Sequence, residues 1–156
     1  MKKASAWILP SITASILFLL AACATVPYAA RPDNVMRVID QFNAGNSTSL
    51  AASTQLPFLF NGEIIELSSD AETMWSNLVK SGIKITGAKI IQDVPATPET
   101  YALFADSMEV KAFFGKYLPK GTMYVRVSFD GGSFAMLLDG AKKGYPVIVG
   151  IKGGPV

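Results

Sequence analysis

Between residues 123 and 138 the chain alternates twice in a pattern that one arrangement satisfies. Met123, Val125, Val127 and Phe129 alternate with Tyr124, Arg126 and Ser128, and Phe134, Met136 and Leu138 repeat the period beyond Asp130-Gly131. Period two belongs to strands with one apolar face. With Asp130-Gly131 as a two-residue turn, the two apolar sets fall opposite each other and both strands agree on which face is core. A slip of one residue would turn every one of those side chains outward. After the turn-rich residues 139–144, Tyr145, Val147, Val149 and Ile151 extend the same alternation into a further strand.

Upstream the period changes to that of helices. Asp33 is placed to cap a helix whose Val35, Val38, Ile39 and Phe42 share one face, with Gly45 as its stop. Asn46 or Ser47 starts a second short helix through Leu50 to Ser53. Pro57 to Ile65 reads as a hairpin, because Asn61-Gly62 suits the two positive φ angles of a type I′ turn. Ser69-Asp70-Ala71-Glu72 matches a capping box for a helix carrying Ala71, Met74, Trp75, Leu78 and Val79, closed by Gly82. Residues 83–92 read as a strand whose apolar parity slips near Gly87, which implies a bulge or bend there. Thr97-Pro98-Glu99 opens a helix with Tyr101, Leu103 and Phe104. Asp106 is placed to recap a second one with Val110, Phe113, Phe114 and Tyr117, ended by Pro119.

The amino-terminal end has a different character. Met1-Lys2-Lys3 is followed by an uncharged run from Ala4 to Ala22 whose densest apolar part is Ile16–Leu20. That is signal-peptide anatomy. Pro10, Ser11, Thr13 and Ser15 dilute it, and no basic stop-transfer cluster follows, so it does not read as a permanent span. Its end, Leu20-Ala21-Ala22-Cys23, resembles the lipobox of bacterial lipoproteins. That resemblance implies a signal peptide over residues 1–22 that is removed, acylation of Cys23 with chains such as palmitate, and attachment to a membrane of the bacterial cell envelope. Ala24 after the cysteine, in place of aspartate, implies by the same resemblance the outer membrane, facing the periplasm. Residues 23–32, with two prolines, then form a tether, and residues 33–156 a single domain.

Removal of that segment changes the charge. Lys2 and Lys3 belong to it, so residues 23–156 carry 12 basic and 12 acidic side chains. A nucleic-acid partner needs a clustered cationic excess, which a neutral domain lacks. The sequence has a single cysteine. With it acylated, no thiol is left for a disulfide, and the domain must hold itself together by packing.

The order helix, short helix, hairpin, helix and a run of strands resembles the nuclear transport factor 2-like superfamily, over roughly residues 33 to 152. The resemblance implies an α+β fold in which a strongly bent antiparallel sheet packs on amino-terminal helices and forms a cone with a pocket. The helical stretch Pro98–Leu118 is then an insertion that lids the mouth of the cone or plugs it. An unrelated α+β domain, with helices on one face of an antiparallel sheet, fits the same local features.

Chemistry is sparse. No histidine is present, which removes the commonest neutral-pH base, the commonest zinc ligand and every nucleophile built on a histidine base. No metal, cofactor or catalytic residue is assigned. The isomerases and dehydratases of the resembled superfamily imply an alternative in which a buried Asp or Glu works with a tyrosine. Asp40, Glu63 and Glu66 are the candidate acids, with Tyr101 and Tyr124 as donors, although Asp40 reads more readily as the polar face of a helix and Glu63 as a residue beside a turn. Tyr124, Arg126 and Ser128 share a strand face that a ligand could touch or water could cover. Phe42, Phe58, Phe60, Trp75 and Phe104 are the residues expected to line an apolar pocket. The expectation is therefore a membrane-anchored domain, without catalysis, that binds a partner protein or a small apolar ligand.

Overall fold

The computed structural model describes residues 32–139 and 146–154. The signal segment 1–22, Cys23, the tether up to Arg31, residues 140–144 and Tyr145 lie outside them. Helix α1 spans Pro32–Asn43, α2 Ser47–Ala52 and α3 Ser68–Lys80, and a 3-10 helix at Pro98–Leu103 precedes α4 at Met108–Lys116. The strands are β1 Thr54–Phe60, β2 Glu63–Ile65, β3 Lys89–Pro95, β4 Thr122–Phe129, β5 Gly132–Asp139 and β6 Ile148–Gly153. They form one six-stranded sheet in the order β2-β1-β6-β5-β4-β3, and the fold is α+β.

The sheet is mixed, which corrects the expectation of an antiparallel one. β6 lies between β5 and β1, antiparallel to the first but parallel to the second. The central hairpin has the expected register, with Met123 opposite Leu138, Val125 opposite Met136 and Val127 opposite Phe134. Asn61 and Gly62 have φ of +50° and +93°, and Phe60 pairs with Glu63 across the two-residue turn. In β6 the expected alternation breaks. The register shifts between Leu137 and Leu138, and Ile148 and Ile151 pack into one core while Val149 packs into another. A bulge does this by placing two residues opposite one and reversing parity beyond it.

Helix α1 buries Val35, Val38, Ile39 and Phe42. It begins at Pro32, whose ring suits a first helical position, so Asp33 lies inside the first turn instead of capping it. Its end is a left-handed closure: Gly45 has φ +78°, its N–H donates to the Phe42 carbonyl at 3.0 Å, and the Asn46 N–H reaches the Gln41 carbonyl at 2.9 Å. The Asn46 Oδ1 then accepts from the Ser49 N–H at 3.2 Å and caps α2. Helix α3 buries Ala71, Met74 and Trp75 and ends before Gly82, but it starts at Ser68 with no side-chain cap. The capping box expected from Ser69 and Glu72 is not formed, since both residues already lie within the helix. Thr97 caps the 3-10 helix in a box with Thr100, and Ser107, in place of Asp106, caps α4 through the Val110 N–H at 3.1 Å.

Two cores flank the sheet. One joins α1, α2 and α3 to Met123, Val125, Val127, Phe134, Met136, Leu138 and Ile148. The other joins Phe104, Val110, Phe113 and Phe114 to Leu59, Tyr124, Ala135, Leu137 and Val149. These two sets come from opposite parities of β4 and β5, so the helical stretch Pro98–Leu118 covers the back of the sheet. It neither lids nor plugs the front, and the alternative with helices on one face only does not hold either. Burial on both faces is a direct result: Tyr124, expected on a half-exposed face, is 1 % exposed and stands edge-on to Phe104 at 6.3 Å.

Candidate functional site

At one end of the front core the packing leaves a pocket of about 210 Å³. Val38, Ile39 and Phe42 of α1 face Trp75 and Leu78 of α3 across it, and Phe129, Phe134 and Ile151 supply the sheet wall. The helical spacing that buries one stripe of α1 thus also aims that stripe at the cavity. Phe60 and Asn61 bring the β1–β2 turn to its rim.

The remaining wall is the segment between α3 and β3. Residues 83–92 were expected as one strand with a bulge or bend near Gly87, and the chain does bend at Gly87. The strand begins only at Lys89, and the register shift falls between Ile90 and Gln92. Residues 83–88 instead form a strap beside the pocket, to which Ile83 and Ile85 contribute. Side chains hold the strap where a strand would have backbone partners. The Asn43 Nδ2 donates to the Ile85 carbonyl at 2.9 Å and its Oδ1 accepts from the Ile85 N–H at 2.9 Å, so one amide group stands in for a β-bridge. Farther along, the Thr86 Oγ1 donates to the Asp130 carboxylate at 2.7 Å and the Asp130 N–H to the Thr86 carbonyl at 2.9 Å. Gly87, at φ +64°, lies so close to that carboxylate that a Cβ would overlap it. Asn43→Ala removes both halves of the amide bridge and is expected to cost about 1–3 kcal/mol, with faster hydrogen exchange at the Ile85 amide as the local sign. An unchanged exchange rate there would show that the strap does not depend on Asn43.

Trp75 ties the pocket floor to the fold. It is 1 % exposed, its Nε1 donates to the Thr54 Oγ1 at 2.8 Å, and that hydroxyl donates on to the Leu50 carbonyl at 2.9 Å. Phe58 lies 6.2 Å from its ring, fully buried in the same core. Of the five residues expected to line a pocket, Phe42, Phe60 and Trp75 come together around this one. Phe58 belongs to the core beside Trp75. Phe104 is a correction: it packs behind the sheet against Phe114 and Tyr124, because the helix that carries it crossed to the back.

The candidate acids do not meet the pocket. Asp40, Glu63 and Glu66 are exposed. Tyr101 packs against the back core, and Lys111 sits 5.7 Å over its ring. Burial pushes the Tyr124 hydroxyl above the usual tyrosine value, with the nearby Arg126 charge offsetting part of the effect. Among the described residues no ionisable side chain lines the pocket, and no group of His, Cys, Asp and Glu is placed to hold a metal ion. No helix among them is long and apolar enough to cross a membrane.

The role of the strap residues Ile83 and Ile85, and of Asn43 that holds them, escaped the sequence reading. An isoleucine pair before a glycine has strand character, and nothing local marks Asn43 as a bridge to residues some 40 positions away. No protein-family model matches this chain, and neither does a curated protein or a solved structure.

Proposed function

We propose that this chain is a lipoprotein domain of nuclear transport factor 2-like architecture, held at a bacterial envelope membrane through Cys23, which binds a small apolar ligand between α1, α3 and the sheet. The observation that carries the binding part is the pocket wall, apolar apart from Asn61, Ser133 and two glycines. An apolar wall of this size favours apolar guests, as engineered apolar cavities near 150 Å³ accept benzene. The element order α1-α2-β1-β2-α3 followed by the remaining strands, and the pocket between helices and sheet, support the cone-like architecture. The exposed positions of Asp40, Glu63 and Glu66 favour a carrier over proton-transfer chemistry.

Native mass spectrometry of the protein extracted from membranes tests the binding part. A retained small molecule supports it, whereas a stoichiometric protein partner, or protein with nothing bound, would replace it. The anchor rests on Leu20-Ala21-Ala22-Cys23 and is tested separately. Cys23→Ser is expected to abolish acylation and leave unprocessed precursor. Normal processing of that variant would sink the lipoprotein reading.

A further inference from the structure

The carrier reading leaves the class of ligand open, and the pocket's one polar corner narrows it. We infer that the pocket takes a neutral molecule with a flat apolar body and a single hydrogen-bond acceptor, which the Asn61 side-chain amide meets at the rim. This rests on the carrier reading above. Three observations carry it.

The size comes first. A cavity near 150 Å³ holds benzene, so a pocket of about 210 Å³ has room for roughly eight heavy atoms by the same ratio. The wall comes second. Phe42, Phe60, Trp75, Phe129 and Phe134 present five rings to this small space, which suits a ring or another flat body better than a flexible chain.

The rim is third. Asn61 uses its Oδ1 to accept the Gly153 N–H at 2.8 Å, which fixes the amide plane and identifies the other end as the NH2 group. Among the described residues the Nδ2 has no acceptor. Asn61 holds a positive φ in the β1–β2 turn, so this donor sits on a rigid support. A ligand oxygen such as a ketone or ester carbonyl would complete it. A carboxylate or ammonium ion would have to leave water for a wall without a counter-charge, which is strongly unfavourable.

Equilibrium dialysis of the full chain held in lipid nanodiscs, with empty nanodiscs as the partition blank, tests this with four probes of matched size. Ethylbenzene is the hydrocarbon, acetophenone the neutral acceptor, phenylacetate the anion and 1-phenylethylammonium the cation. Ethylbenzene is expected to bind, acetophenone about fivefold more tightly for one added hydrogen bond, and both ions at least roughly tenfold more weakly than ethylbenzene. Asn61→Asp keeps an oxygen for Gly153 and tolerates the positive φ, but loses the donor. It should erase the preference for acetophenone while leaving ethylbenzene within about twofold. Asn61→Gly, which also tolerates the turn, should do the same.

If ethylbenzene binds but acetophenone binds no better, or an ion binds as well as the ketone, the ligand class is wrong and the carrier reading stands. If none of the four binds, the carrier reading itself falls.

Discussion

Trp75→Ala is expected to destabilise the protein by about 3–5 kcal/mol, the usual cost of removing a fully buried large aromatic side chain. Marginal domains have only about 5–15 kcal/mol in total, so this variant should be close to unfolded at ordinary temperature. Three contributions act together. The indole leaves a void beside Phe58 and Met74, the front core loses its largest fully buried side chain, and the Thr54 hydroxyl loses the donor that links α3 to the start of β1. Trp75→Phe keeps a six-membered ring in place and loses the hydrogen bond and a smaller part of the volume, so about 1–3 kcal/mol is expected. Urea unfolding followed by far-ultraviolet circular dichroism separates the two without relying on tryptophan fluorescence. Equal midpoints for the two variants would mean that the volume of the indole does not hold this region together.

Gly150→Val is expected to be nearly as damaging, for the opposite reason. At Gly150 the strands leave little room: a Cβ there would stand 3.1 Å from the Leu59 carbonyl oxygen, 3.1 Å from the Leu59 Cβ and 3.1 Å from the Leu137 Cδ1. Leu137 can turn aside, but the Leu59 backbone belongs to β1, which pairs with β6 at that very point. Alanine should cost roughly 1–3 kcal/mol by overpacking, and valine more, because its two methyl groups also meet Leu137. The expected signature is a lowered melting temperature that falls in the order Gly, Ala, Val. An alanine variant as stable as the parent would show that β1 and β6 separate freely.

Much of this fold is readable locally and much of it is not. The register of β4 and β5 follows from their alternation, and the Asn61-Gly62 turn from its φ requirement, because in both cases neighbours in sequence carry the whole constraint. The α1 stripe is legible for the same reason. Tyr124, Arg126 and Ser128 fail that test. Their polarity resembles a wet sheet face, and only the distant Phe104 and Phe113 show that Tyr124 is covered. The side of the sheet on which Pro98–Leu118 packs depends on connection geometry that no local period reports.

The pocket divides in the same way. Phe42 and Trp75 lie on amphipathic stripes that any helical reading turns inward, and both reach the cavity. Ile83 and Ile85 arrive on a strap fixed by Asn43 and Asp130, side chains distant in sequence whose role appears only when the chain is folded. In β6, the bulge beside Val149 reverses the parity on which Val147, Val149 and Ile151 were expected to share a face.

The position of β6 sets the order in which this architecture can be completed. Without it the sheet is two fragments, a β1–β2 hairpin and a β3–β4–β5 meander, with no ladder between them. The strand that joins them pairs Thr54 with Ile148, about 90 residues along the chain, and closure over that distance carries an entropic cost that local hairpins do not. The pocket wall spans the same seam, with Phe60 on one fragment, Phe134 on the other and Ile151 on the joining strand. The cavity therefore cannot exist in a partly folded chain, and a guest that fills it would act as a clasp across the seam.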